Sequence, residues 1–319
     1  METVFISSSL PDDLRARLAE TYRLVDVPEG ETSNLAQYGE PAGWFMDGGT
    51  PVDAAVIAQL PSLRMVSNHG VGYDSVDVPA ATSANIVVTN TPGVLDNAVA
   101  ELTLGLILAL GRGIVTYDRY VRDGSWERAW PPLTHDVHGT TLGVVGMGRI
   151  GRRLAEIVAP LGITVLYHNR SRNPEIDASG VAEWAEWEDM LQRSDFVTLH
   201  TPLTQRTRGF FVREDFALMK PSAYLINMAR GAVVNTDDLV AALREGTIAG
   251  AALDVFEEEP LPVSSPLVEF DNVILQPHNG SATEETRRAM VELAIRNLED
   301  GLAGRRPETP LNWDEIFGG

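Results

Sequence analysis

Three side chains in this sequence have types and neighbours suited to moving a proton at an anionic substrate. Arg230 closes the run AYLINMAR, Glu259 lies in EEEP after GAALDVF, and His278 closes NVILQPH. Each run is apolar and strand-like, and each polar residue stands near its carboxyl end. In an open parallel sheet that end is where ligands bind, so residues far apart in the chain become neighbours. A guanidinium can grip a carboxylate or keto oxygen bidentately. A protonated imidazole can give its proton to a carbonyl oxygen as hydride arrives on the carbon. A carboxylate beside that imidazole would fix its orientation and favour the charged form. Together the three suit reduction of a 2-keto acid. Taken singly, each has a plainer role: a capping histidine, a salt-bridge arginine, one acid of a solvated run.

The hydride would come from a dinucleotide, and TLGVVGMGRIG is the stretch to hold one. Gly146, Gly148 and Gly151 follow an apolar strand and open an amphipathic helix, the context this motif requires. Gly146 allows the tight turn, Gly148 lets the backbone approach a pyrophosphate, and Gly151 lets helix and strand pack closely. The N–H groups of Arg149 and Ile150 then face the phosphate at the positive end of the helix. An acid normally follows about 20 residues on, to hold a ribose 2′-hydroxyl. LYHNRSR has none there. Arg170 and Arg172, with Asn169 and Ser171 as neutral hydrogen-bond partners, would instead favour a 2′-phosphate, so NADP(H) is the expected cofactor, with NAD(H) as the alternative.

These residues need a scaffold. The chain has 319 residues, enough for two domains. Asp plus Glu total 45 against 25 Lys plus Arg, a net charge of -20 that repels nucleic acid and anionic membranes. An anionic substrate therefore needs a local basic pocket. There is no cysteine, which excludes disulfides, thiolate chemistry and cysteine-based zinc sites. METVFISSSLPDDLRARL lacks the basic start and apolar core of a signal peptide, and the apolar run Ala98 to Gly111 is too short to span a bilayer. The cytoplasm is the expected compartment.

The first hundred residues alternate strand-like pieces (TVFISS, RLVDVP, LRMVSNHG, NIVVTNTP) with helical ones (PDDLRARLAETY, PVDAAVIAQL). Asp96 is the expected N-cap of a helix reaching about Arg112. Gly113 to Thr140 reads as irregular. Six strands then alternate with helices from TLGVVG to NVILQPH, a doubly wound dinucleotide fold. AEWAEWEDML reads as a helix with a solvated face, and a last helix runs from about Glu284 to Leu302. The fold class is α/β, two doubly wound parallel-sheet domains. The expected boundaries are 1–97 with 286–319 for a discontinuous substrate domain and 98–285 for an inserted Rossmann cofactor domain.

NHGVGYDSVDV, NTPGVLDNAVAELTLGLILAL, GVVGMGRIG, DFVTLHTPLTQRTRG, LINMARGAVVN, ALDVFEEEP and PHNGSAT together resemble the D-2-hydroxyacid dehydrogenase family over nearly the whole chain. The resemblance implies a flavodoxin-like substrate domain around a Rossmann domain. It implies that Arg230 binds the keto acid, that Glu259 partners His278, and that His278 is the acid/base. The backbone N–H groups of Val71 and Gly72 would receive the substrate carboxylate. His200, Thr201, Pro202, Thr207, Met228, Ala229, Asp254 and Gly280 fall at cofactor-side positions. The resemblance also implies a homodimer built through the cofactor domain. WERAWPPLTHDVHG is most similar to the glyoxylate/hydroxypyruvate reductase branch and the related hydroxyphenylpyruvate reductases, where a Trp of this arm, here Trp126 or Trp130, can reach the neighbouring subunit's pocket; dimer packing is the other role open to it. Asn279 departs from the family, which usually has an apolar residue after the catalytic His. His69 beside the GVG turn reads as structural. His135 and His138 flank Asp136, but in a loop entering a strand, so no metal site is expected. A corepressor-like dinucleotide sensor, a reductase of larger aromatic keto acids and an NAD-linked enzyme acting on an anion such as phosphite remain alternatives.

Overall fold

In the computed structural model, which describes residues 1–318, the chain forms two compact units, Met1–Leu95 with Ala282–Gly319, and Asp96–Ser281. The first unit holds a five-stranded parallel sheet. Its strands are β1 (Thr3–Ile6), β2 (Arg23–Asp26), β3 (Gly43–Met46), β4 (Met65–Asn68) and β5 (Val87–Thr89), in the order β2-β1-β3-β4-β5. That is the flavodoxin-like order. The long helix Glu284–Leu302 packs on it through Val291, Ala294, Ile295, Leu298 and Leu302, beside Val4, Phe45 and Met65. The tail is tied back by Asn312, whose Oδ1 accepts from Val88 N and whose Nδ2 donates to Ile86 O.

The second unit holds a seven-stranded parallel sheet of β6 (Thr141–Val145), β7 (Thr164–His168), β8 (Glu183–Trp184), β9 (Phe196–Leu199), β10 (Tyr224–Asn227), β11 (Gly250–Leu253) and β12 (Val273–Leu275). The order is β8-β7-β6-β9-β10-β11-β12, so the winding reverses between β6 and β9. Strands covered on both faces read as nearly unbroken apolar runs, as LGVV, FVTL and GAAL do here. The register aligns the carboxyl ends: Val145 pairs with Leu199 and with His168, while Asn227 pairs with Leu253 and Leu253 with Leu275. Residues just past these positions therefore lie along one edge of the sheet.

The structure corrects three readings. AEWAEWEDML is not one helix: Glu183–Trp184 pairs as a seventh strand with Leu166 and Tyr167, and the helix begins at Trp187. Gly113 to Thr140 is not wholly irregular, because Ile114–Arg122 is helical and is set off from the apolar helix Asp96–Gly111 by a 58° bend at Gly113. Asp96 is the first helical residue there rather than a cap outside it. The central strand β3, GWFM, went unrecognised because all four residues are buried and no alternation marks it. Among the described residues no single helix is long and apolar enough to cross a membrane.

Candidate active site

At the winding reversal, Gly146 has φ +95°, and a Cβ there would stand 2.9 Å from the His200 carbonyl carbon and the Thr201 nitrogen. Only glycine fits. A Cβ on Gly151 would lie 2.7 Å from Gly146 O, so this residue sets the close approach of helix and turn. Gly148 is different: a Cβ there meets nothing within 4 Å, so the turn's outer surface is open to a ligand. Gly148 caps the helix Arg149–Val158, and the N–H groups of Arg149 and Ile150 show no acceptor among the described residues. The Arg149 side chain is engaged by Asp96 at 3.0 Å, leaving its backbone to serve the turn. His200 Nδ1 and Thr201 Oγ1 are buried without a protein partner beside Gly146. Bare amides at a helix start, open space above Gly148 and unpaired polar atoms fit a dinucleotide.

The loop after β7 separates the four residues singled out for the ribose. Asn169 braces the turn: its Oδ1 accepts from Met147 N at 2.7 Å and its Nδ2 donates to Met147 O at 3.3 Å. Arg170 and Ser171 are exposed, with no hydrogen bond or ion pair among the described residues. Arg172 lies with its Cζ 4.6 Å from the centroid of the Trp184 ring.

At the ends of β10, β11 and β12 the expected trio is found together. Asn227 ends β10; its Oδ1 accepts from Ala229 N and its Nδ2 donates to Arg230 O, so one side chain shapes the turn presenting Arg230. Met228 and Ala229 are buried under that turn, and Arg230 Nη1 donates to Ala229 O at 2.9 Å. His278 Nδ1 lies 2.7 Å from Glu259 Oε2, while Glu259 Oε1 accepts from Phe256 N at 2.8 Å. Burial pushes the Glu259 carboxyl up, but the His278 bond, the Phe256 N–H and the Arg230 charge outweigh it and hold the group below the usual carboxylate value.

Asp254, 2% exposed, fixes the histidine's backbone. His278 has φ +51°, a left-handed conformation that a non-glycine residue keeps only when its surroundings dictate it. Its N–H donates to Asp254 O at 2.8 Å, and the next two amides, Asn279 N and Gly280 N, donate to the Asp254 carboxylate at 2.8 and 2.9 Å. Burial nevertheless leaves this carboxyl above its ordinary value, against the pull of those two amides. Asn279 Nδ2 donates to Gln276 Oε1 at 3.2 Å, and its Oδ1 is buried without a partner. Sequence reasoning missed both this clasp and Asn227, whose only local sign is an Asn or Asp at or just past the end of an apolar strand.

In the other unit, the GVG turn follows β4. Asn68 Nδ2 donates to Gly70 O and Gly72 O at 3.1 and 2.8 Å, and Asn90 Nδ2 donates to Val71 O at 2.8 Å. With the carbonyls held, the N–H groups of Val71 and Gly72 show no acceptor among the described residues. His69 is 7% exposed, stacks on Phe45 at 5.8 Å and touches Ser8 Oγ at 3.2 Å; burial pushes it down to about 4.

The remaining candidates are held by nearby groups. His200 Nε2 contacts Thr198 Oγ1 at 3.0 Å, and burial pushes this imidazole down to about 4, so it is neutral at physiological pH. Thr207 Oγ1 donates to Pro202 O at 2.7 Å and ties up the loop after β9. His138 Nδ1 pairs with Leu161 O at 3.0 Å. Trp126 and Trp130 meet edge to face at 5.7 Å and are 51% and 82% exposed.

Known proteins resemble this chain in sequence and fold. The family model for the NAD binding domain of D-isomer specific 2-hydroxyacid dehydrogenases matches residues 104–280. A glyoxylate reductase of Aeropyrum pernix is 48% identical over 271 residues, covering 83% of this chain and 81% of that protein. The crystal structure of a glyoxylate reductase from Paecilomyes thermophila has a TM-score of 0.89 at 30% identity, covering 97% of this chain and 98% of that one. That of the NADPH-dependent glyoxylate/hydroxypyruvate reductase of Sinorhizobium meliloti, solved with NADP and malonate, has a TM-score of 0.87 at 32% identity and covers 97% and 96%. On this match, the chain belongs to the D-isomer specific 2-hydroxyacid dehydrogenase family and is an NAD(P)-dependent oxidoreductase.

Proposed function

We propose that the protein reduces a small 2-keto acid, of the glyoxylate or hydroxypyruvate type, to the D-2-hydroxy acid with NADPH, and that His278 donates the proton. The observation that carries this is the 2.7 Å pairing of His278 Nδ1 with Glu259, at one sheet edge with Arg230. A bound nicotinamide supplies the hydride for the keto carbon. Glu259 holds Nδ1–H, so the transferable proton sits on Nε2, and the ring becomes neutral once it is given. Arg230 polarises the keto oxygen and anchors the substrate's charge. The N–H groups of Val71 and Gly72 receive the carboxylate. In this reading the unit Asp96–Ser281 is the cofactor domain and the discontinuous unit is the substrate domain.

The preference for NADPH rests on Arg170 and Arg172 in place of an acid. One charge-assisted bond to a 2′-phosphate is worth roughly 1.5–3 kcal/mol, a preference of about 10- to 150-fold over NADH. The reading also includes a cytoplasmic homodimer. Ile114, Val121, Trp126, Trp130 and Leu133 leave an apolar surface on the Ile114–Leu133 segment for a second copy to cover. Light scattering of the purified protein tests the dimer.

The decisive experiment is His278→Ala. It should remove most turnover of glyoxylate and hydroxypyruvate while leaving the Kd for NADPH nearly unchanged. Near-normal turnover would sink the assignment. A kinetic panel of glyoxylate, hydroxypyruvate and phenylpyruvate, each with NADPH and NADH, ranks the substrates and the cofactors.

A further inference from the structure

We infer that Trp184 is a positioning residue for the cofactor's 2′-phosphate, acting as a flat support that holds the Arg172 guanidinium ready without neutralising it. This rests on the reading that Arg172 meets that phosphate. Most arginines of this acidic chain lie against carboxylates. Around Arg172 the nearby acids are engaged elsewhere: Glu175 with Arg152, Glu183 with Arg193, and Asp177 with the Tyr167 hydroxyl. Among the described residues Arg172 has no ion pair; its partner is the Trp184 ring, with Cζ 4.6 Å from the centroid. The distinction matters chemically. A carboxylate would fix the arginine but consume N–H donors and cancel the charge an anion needs. An aromatic face attracts the same cation through its quadrupole and leaves the five N–H donors around the edge of the guanidinium plane.

The support is itself held firmly. Trp184 pairs in register with Tyr167 on β7, whose hydroxyl accepts from Asn173 N at 2.9 Å and so anchors the residue after Arg172. The His168 ring packs 6.0 Å from Trp184 and 5.4 Å from Trp187, with its Nδ1 3.0 Å from Ala185 O. Trp187 Nε1 in turn donates to Asp215 Oδ1 at 2.7 Å. Trp184 Nε1 is buried with no partner, so the ring's contribution at this place lies in its face and not in its polar edge. An exposed arginine otherwise loses rotamer freedom each time it binds; one already stacked has lost part of it beforehand.

The test is calorimetric binding of adenosine 2′,5′-bisphosphate and AMP to full-length wild type, Trp184→Leu, Trp184→Phe, Arg172→Ala and the Leu/Ala double variant. Trp184→Leu should weaken the bisphosphate about two- to fivefold and leave AMP unchanged. Trp184→Phe should recover most of that loss, because it keeps an aromatic face. In the Arg172→Ala background, Trp184→Leu should have no further effect. If Arg172→Ala weakens the bisphosphate and Trp184→Leu does not, the support role is wrong and the arginine reading stands. If neither substitution matters, the arginine reading fails and the inference with it. Equal weakening of both ligands by Trp184→Leu would mean general distortion of the sheet edge and would also overturn it.

Discussion

Replacing Glu259 by Gln isolates what the carboxylate does for His278. The change is nearly isosteric, and the amide oxygen can still accept from Phe256 N, now bonded to Oε1 at 2.8 Å. The Gln nitrogen then faces His278 Nδ1 across the 2.7 Å contact as a donor. A donor there suits a neutral ring protonated on Nε2 and opposes the imidazolium. A hydrogen bond between charged groups is worth roughly 1.5–3 kcal/mol when well shielded. His278 and Glu259 are 47% and 34% exposed, so solvent screening reduces this to about 1–2 kcal/mol. That is about 5- to 30-fold in kcat/KM. Glu259 is held below the usual carboxylate value, so in the wild type it stays ionised across the working range. We expect kcat/KM for glyoxylate, followed at about pH 7 by loss of reduced-nicotinamide absorbance, to fall by that factor while NADPH affinity stays constant. Glu259→Asp, which keeps the charge, should lose less. A Gln variant with the wild-type kcat/KM would refute the reasoning and reduce Glu259 to a clip for the Phe256 loop.

Other consequences follow from packing and charge. A Cβ on Gly231 would fall 1.8 Å from the Phe256 carbonyl carbon and 2.2 Å from Glu257 N, backbone that cannot step aside. Gly231→Ala should cost at least about 2–3 kcal/mol and lower Tm by about 4–10 °C, with kcat falling as the Arg230 and Glu259 loops separate; a calorimetric Tm like that of the wild type would contradict the fit. His69 and His200 are both pushed to about 4 by burial, below about 6.5 in the unfolded chain. Their stabilising effect is therefore complete above about pH 6.5 and is lost as pH falls towards 4, on the order of 3 kcal/mol each at the acid end. Melts between about pH 7 and pH 4.5 in high salt should show the fall, and His200→Gln should flatten part of it. With a net charge of -20, raising NaCl from about 0.1 M to about 1 M should raise Tm by several degrees, because screened self-repulsion outweighs the loss of exposed ion pairs that contribute little. A Tm that falls with salt would show the pairs to be the larger effect.

What could be read from the sequence was what contiguous residues decide. The Gly146–Gly151 turn is local backbone geometry, and its φ and close approaches agree with the motif. The helix Glu284–Leu302 stands where the sequence puts it, although it is not the last, since Trp313–Phe317 is helical as well. Arg230, Glu259 and His278 could be singled out because parallel strands in register end along one edge, so the carboxyl end of each run already implies a neighbourhood. Only the tertiary structure decided what holds them. The Asp254 clasp on three successive amides, the left-handed His278, the backbone contact that admits only glycine at 231, and the Trp184 ring beneath Arg172 all join segments that share no periodicity. The same cause hid β3, which is buried throughout, and β8, whose two residues become a strand only because Leu166 and Tyr167 offer an edge to pair with. Pattern reports the conformation a segment prefers by itself. Which side chain reaches which backbone across a sheet edge depends on register and loop path, and these exist only once the whole chain has packed.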